Sequence, residues 1–318
     1  MRFDAAEAAT VKSTAGDITY AESTPWGDIE IDFARCMANE LYTFSEVRLN
    51  GQVINHTESD NIGPFLVDRK GWMGGNHLNG DRRSARTVSV RASVDGNPLS
   101  ADAGTKGRVL TVDVVNDLLN PVTDSLMCIE RMTYEVSGNS ITVTARHEFL
   151  NPEPEVIERY FGMQSMMTGE TDMLTPGGAF ARWTPTLKRV NSSTTFPKSE
   201  APSFCTFIER SPAGYQAAYM TSEGLGSRSQ VDEGDFVFIN ACYNVNSVDS
   251  KSYHKLIGMR PVCKGDKTMW RGVYSWFDKP ISDRSDSETP TFDYGAYRDG
   301  RPYLFHLGPD GRMTEKSL

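Results

Sequence analysis

Apolar and polar residues alternate along much of this chain, the spacing of strands buried on one face. Thr87–Val94 (TVSVRASV) alternates and then meets Asp95-Gly96-Asn97-Pro98, a combination that favours a tight turn. Val109–Val115 (VLTVDVV) reads as a second strand. Met132–Val136 and Ile141–Phe149 flank Ser137-Gly138-Asn139 and predict a β-hairpin. Further on, Ser203–Arg210, Tyr215–Met220, Asp235–Asn244, His254–Met259, Trp270–Phe277 and Pro302–Leu307 are all strand-like. Helical spacing is confined to Phe33–Leu41 (FARCMANEL). Gly71–Ser84, Met163–Gly178 and Lys279–Pro290 read as loops from their Gly, Asn, Thr and Ser content. Strands that follow one another without long helices between them argue against a parallel α/β fold. The pattern predicts a mostly β protein, a large antiparallel β-sandwich with few short helices, and a barrel as the second choice. One domain over residues 1–318 is expected, with a weaker break at 184–202.

Composition narrows the class. At 318 residues the chain is long enough to bury a core without disulfide staples, and 38% hydrophobic against 24% charged residues is the balance of a folded protein. The formal charge of -9 opposes nucleic acid binding, and the densest basic stretch, Arg82, Arg83, Arg86 and Arg91, contains no aromatic residue. No apolar run is long enough for a membrane helix, and MRFDAAEAATVKS does not read as a signal peptide. The compartment and the oligomeric state stay open. The five cysteines are widely spaced, without C-x-x-C, and an odd count leaves at least one unpaired; they read as small buried residues.

Three constellations could carry chemistry. In Gly71-Trp72-Met73-Gly74-Gly75-Asn76-His77-Leu78-Asn79-Gly80-Asp81-Arg82-Arg83, glycines surround groups suited to a ligand. Trp72 offers a flat face for a sugar ring and His77 a base, with a satisfied His in a structural turn as the alternative. The second comprises Arg146-His147-Glu148 and Glu158-Arg159-Tyr160-Phe161-Gly162-Met163-Gln164. On a strand over Ile141–Phe149, His147 shares the apolar face, where a buried, hydrogen-bonded imidazole is the common outcome. Arg159 could hold a carboxylate with its planar fork and Tyr160 could protonate a leaving group. The third is Tyr294, Tyr297, Arg298, Arg301, Tyr303 and His306, suited to sugar contact or to an edge strand with exposed aromatics. No nucleophile elbow, metalloprotease motif or phosphate loop occurs. No cofactor is expected, although Asp283, Asp286 and Glu288 leave room for a structural calcium ion beside the reading of a solvated acidic loop.

Over roughly residues 60–165 the order of these motifs resembles the galactose-mutarotase-like supersandwich superfamily, which includes aldose epimerases and the β-sandwich domains of polysaccharide lyases. Gly74-Gly75-Asn76-His77 looks like the early Gly/His loop, and Ile141–Phe149 with Asn151-Pro152 like the strand and Asn turn that follow. Arg159-Tyr160-Phe161 falls where the epimerase acid segment would lie, but no His-Pro precedes it. The resemblance implies a carbohydrate-active enzyme that takes an oligo- or polysaccharide, and the missing His-Pro turns the expectation from mutarotation towards β-elimination of a uronate-containing glycan. In that reading Asn76 and Arg159 neutralise the carboxylate, His77 removes the proton and Tyr160 protonates the leaving oxygen. Trp72, Arg82, His147, Gln164 and Arg182 are the expected substrate contacts. A sugar epimerase or glycoside hydrolase is one alternative, and a non-catalytic glycan-binding or phage-tail-like module is another.

Overall fold

In a computed structural model of the chain, described for residues 8–57, 61–102, 104–169, 171–174, 183–185, 193–196, 206–220, 236–244, 247–254, 256–309 and 313–318, strands form throughout and no helix is present among those residues. Every ladder between named strands is antiparallel, and several join successive strands that return through tight turns.

Two sheets make the main sandwich. One has six strands, in the order Gly104–Gly107, Ala9–Thr14, Asp17–Thr24, Gly27–Cys36, Leu41–Leu49, Gln52–Asn55. The other has ten: Thr184–Pro185, Asp172–Leu174, Thr206–Ser211, Gly214–Met220, Lys267–Phe277, Ser140–Phe149, Leu126–Ser137, Leu110–Leu119, Ala85–Val94, Asn97–Pro98. Alternation sends one set of side chains from each into a common core. Phe33 and Phe44 of the smaller sheet meet Tyr134 edge-on at 5.5 and 6.0 Å, and Phe44 also meets Tyr274 and Trp276. Among the described residues the two end strands of the ten-stranded sheet, Thr184–Pro185 and Asn97–Pro98, do not pair with each other, so no barrel closes there.

A C-terminal sheet, Ser282–Asp283, Phe292–Arg298, Arg301–Leu307 and Met313–Ser317, packs on the opposite face of the large one. Its core is a run of stacked rings: Phe277 on Tyr294 at 4.8 Å, and Tyr294 on Phe305 at 5.0 Å. It covers Ala217, Tyr219 and Phe277, reaches Ser137 through Gly300 N, and leaves Arg91, Arg131 and Arg146 of that face exposed, whereas Ser140, Thr142 and Thr144 are buried. A smaller sheet, Ile257–Val262, Glu155–Tyr160, Phe65–Val67 and Gly71–Met73, carries much of the candidate site.

The helix expected at Phe33–Leu41 does not form. Phe33 to Cys36 ends a strand, residues 37–40 turn, and a new strand starts at Leu41. Met37 and Glu40 hold left-handed backbone angles (φ 62° and 52°), and buried Asn39 donates to the carbonyls of Gly75 and His77 and to Ser84 Oγ. These contacts, 36 to 45 residues away in sequence, override the local helical spacing. Met163–Gly178, expected as a loop, contains the strands Gln164–Thr168 and Asp172–Leu174. Gly71–Ser84 opens with a short strand at Gly71–Met73. The single strand expected at His254–Met259 is two, Ser247–His254 and Ile257–Val262, in different sheets.

Candidate functional site

The smaller four-stranded sheet divides the expected site residues between its two faces. Across its strands Met73 pairs with Phe65, Phe65 with Tyr160 and Tyr160 with Ile257, and all four are buried. One residue along, Trp72 pairs with Leu66 and Leu66 with Arg159, and these three are partly exposed. Period-two geometry therefore places Trp72 and Arg159 on the outer face and Tyr160 in the core.

The Gly-rich loop follows directly from this sheet. Gly71 takes φ 132°, and a Cβ there would lie 2.5 Å from Asn79 Oδ1. That close approach has a use: Trp72 N donates to Asn79 Oδ1 at 2.9 Å and Asn79 Nδ2 donates to Trp72 O at 2.7 Å. Asn79 thus supplies Trp72 with the backbone pairing that a further strand would have given. The loop then folds back so that the His77 ring lies on the Trp72 indole, centroids 4.3 Å apart and planes 22° from parallel. Phe161 stands 6.5 Å from the same indole. Asn76 Oδ1 accepts from Ala38 N at 2.6 Å, which anchors the loop to the turn at 37–40.

Beneath the outer face runs a buried polar chain. Glu130 Oε1 accepts from Asn116 Nδ2 at 2.9 Å, and Glu130 Oε2 lies 3.0 Å from His147 Nε2. His147 Nδ1 lies 3.3 Å from Thr268 Oγ1, and Trp270 Nε1 donates to the Tyr160 hydroxyl at 2.7 Å. Burial and the nearby Glu130 carboxylate push the Tyr160 phenol well above its ordinary value of 10. With 1% of its surface exposed, Tyr160 has no hydroxyl at the outer face, which removes the support for a leaving-group acid there. His147 and Gln164, 2% and 1% exposed, are core residues rather than surface contacts for the same reason.

The remaining expected contacts divide as follows. Arg159 is on the outer face and pairs with Glu158. Arg82 is committed to Asp124 at 2.6 Å and to the Pro121 carbonyl at 2.9 Å. Arg182 lies outside the described residues. Of the C-terminal cluster, Tyr294 and Tyr297 are buried, while Arg298 pairs with Glu315 and lies over the Tyr303 ring at 5.8 Å. Asp283 accepts from Trp183 Nε1 and Ser285 N, and among the described residues no three His, Cys, Asp or Glu side chains gather as for a metal ion. Sequence reasoning did not pick out Asn39 and Asn79, the two residues that set the loop. Asn79 could have been suspected from its place among glycines, whereas nothing local marks Asn39.

No protein-family model matches the chain, and no curated protein matches it either. Among solved structures, it is similar to the GH36 α-galactosidase AgaB of Geobacillus stearothermophilus, with TM-score 0.50 and 10% identity over 85% of this chain and 41% of that one. A heparan sulfate lyase, HepC of Pedobacter heparinus, matches with TM-score 0.41 and 8% identity over 97% of this chain and 42% of that one. The chain spans about two fifths of the length of each. What it shares with the α-galactosidase is a fold, the stacked antiparallel sheets described above.

Proposed function

We propose that this chain is a carbohydrate-recognition β-sandwich of a carbohydrate-active protein, with Trp72 and His77 as its sugar platform. The observation that carries the reading is the stacked, half-buried Trp72–His77 pair on a loop held by Asn39, Asn76 and Asn79. A preordered aromatic face suits the apolar side of a sugar ring, and it loses little conformational freedom on binding. Arg159, on the same face two strands away, adds a guanidinium for a ring hydroxyl or carboxylate. The fold shared with part of an α-galactosidase supports the same class of ligand.

The lyase version of this reading keeps His77 as base and Arg159 as neutralising group. The Asn76 carboxamide oxygen is already engaged by Ala38, and Tyr160 is shut in the core, so recognition is favoured over elimination.

Calorimetric titration with a panel of neutral and acidic oligosaccharides tests the proposal. Trp72→Ala should weaken binding by about tenfold or more while leaving the melting temperature nearly unchanged. Absence of binding to any glycan, or full retention by Trp72→Ala, would overturn it. Formation of an ultraviolet-absorbing unsaturated uronate by the wild-type protein would instead establish the lyase.

A further inference from the structure

The open part of the ten-stranded sheet carries an unusual arrangement of charge. On its outer face Arg131 and Arg146 sit directly opposite each other on neighbouring strands. Like charges in this relation repel and oppose folding. Both are exposed, and neither has an ion-pair partner among the described residues. One row along, exposed Arg91 lies opposite Asp113, but that carboxylate is engaged by the Thr133 hydroxyl at 2.7 Å, and Arg91 too is without an ion pair among the described residues. The flanking arginines are neutralised, Arg86 by Asp117 at 2.8 Å and Arg271 by Glu135 at 3.6 Å. Three guanidiniums without an ion pair among the described residues thus share one face, with the Asp113 carboxylate next to Arg91, on a chain whose formal charge is -9.

From these positions we infer that this surface is a second binding site, distinct from the Trp72 loop, and that it takes an oxyanion-bearing polysaccharide. The Arg131–Arg146 gap of about 5 Å between Cβ atoms fits one sulfate or carboxylate held by two planar forks. Arg91 stands about 12 Å from Arg131, from two strand spacings of about 4.8 Å and a two-residue rise of about 6.7 Å, so one extended polymer can reach both. The surface between them carries Val115 and Asp113 with Ser89 and Thr133 beside them, and hydroxyls suit a polyhydroxylated chain. It presents no aromatic ring on which bases could stack, which favours a glycan over a single-stranded nucleic acid. The saccharide part of the assignment rests on the carbohydrate reading above; the oxyanion part rests on the arginines alone.

The test compares wild-type protein with Arg131→Ser/Arg146→Ser against heparin, dextran sulfate, polygalacturonate, neutral dextran and a single-stranded oligonucleotide. Salt-dependent binding to at least one acidic glycan, a loss of about tenfold or more of that binding in the double variant, and no effect of the double substitution on any binding of neutral dextran are expected. Dextran sulfate and polygalacturonate separate sulfate from carboxylate recognition. Removing like charges should leave the melting temperature unchanged or raised. Should the double substitution impair folding, Arg91→Ser at its exposed position carries the same test. No acidic glycan bound, unaltered binding in the variants, or tighter binding of the oligonucleotide would each overturn the proposal. Trp72→Ala keeps the two sites apart: the salt-dependent acidic-polymer binding that the double variant loses should persist in it, so failure of the platform leaves the strip standing, and the reverse.

Discussion

The ring of Tyr160 lies flat on that of Phe65, centroids 3.8 Å apart and planes 7° from parallel. Arg159, its neighbour in sequence, faces the other way, beside Leu66 and Trp72. A motif that reads as one cluster along the chain is thereby split into a structural half and a surface half. The buried half ends in a hydrogen bond from Trp270 to the Tyr160 oxygen, and its contribution should be to stability.

Tyr160→Phe should therefore destabilise the fold by about 1–3 kcal/mol, because the buried indole N–H of Trp270 loses its acceptor. Urea unfolding measures this, and glycan binding by the folded variant should not change. A variant as stable as wild type would show that the indole finds another partner.

A second prediction concerns Glu22, 7% exposed at the end of the core beside Tyr20. Its Oε2 accepts from the Tyr20 hydroxyl and from Gly138 N at 3.0 Å, while Oε1 is buried without a hydrogen-bond partner among the described residues. Burial raises its carboxyl from the ordinary value of 4.5, outweighing those two hydrogen bonds. The folded state then holds the proton more tightly than the unfolded state, so its contribution is full below about 4.5 and is lost as pH rises through the folded value. Glu22→Gln should flatten the fall in melting temperature above that point and leave the variant more stable than wild type at pH 7. A pH profile identical to wild type would refute this.

The thiols give a third. Cys128 is buried and Cys263 partly exposed, and both are free. Burial pushes the Cys128 thiol well above its ordinary value of 9.0, with Glu130 adding to the rise. Cys263 is also raised, by desolvation and then by Asp266. In the folded protein a thiol reagent should label Cys263, slowly at pH 7 and faster as pH rises, and reach Cys128 only on unfolding. Mass spectrometry of labelled peptides separates the two sites, and early labelling of Cys128 would show that its strand opens.

How much of this was legible beforehand follows from where each contact lies in sequence. Thr87–Val94 and Ile141–Phe149 form strands because their alternation is met by partners within a hairpin or two. The buried state of His147 was legible in the same way, from Ile141, Val143, Ala145 and Phe149 on its face. Tyr160 was not: charged Glu158 and Arg159 precede it and apolar Phe161 follows, which breaks the alternation, and the residue that fixes its direction, Phe65, is remote in sequence. Phe33–Leu41 has the spacing of a helix, yet Asn39 finds its partners in the Gly-rich loop. The Arg131–Arg146 pair needed the hairpin register, which its turn supplies, and an open outer face, which only the packing of the C-terminal sheet reveals.

The ladder between Ser140–Phe149 and Lys267–Phe277 sits in the middle of the large sheet, and its members His147 and Thr268 are 121 residues apart. During synthesis the run from Ala85 to Phe149 can assemble from local pairings, and then waits with Ser140–Phe149 as a bare margin until the distant strand arrives. That margin is rich in β-branched residues, the kind that recruits other chains. A fragment that ends between Phe149 and Lys267 would carry it permanently and should aggregate rather than fold as a smaller sandwich.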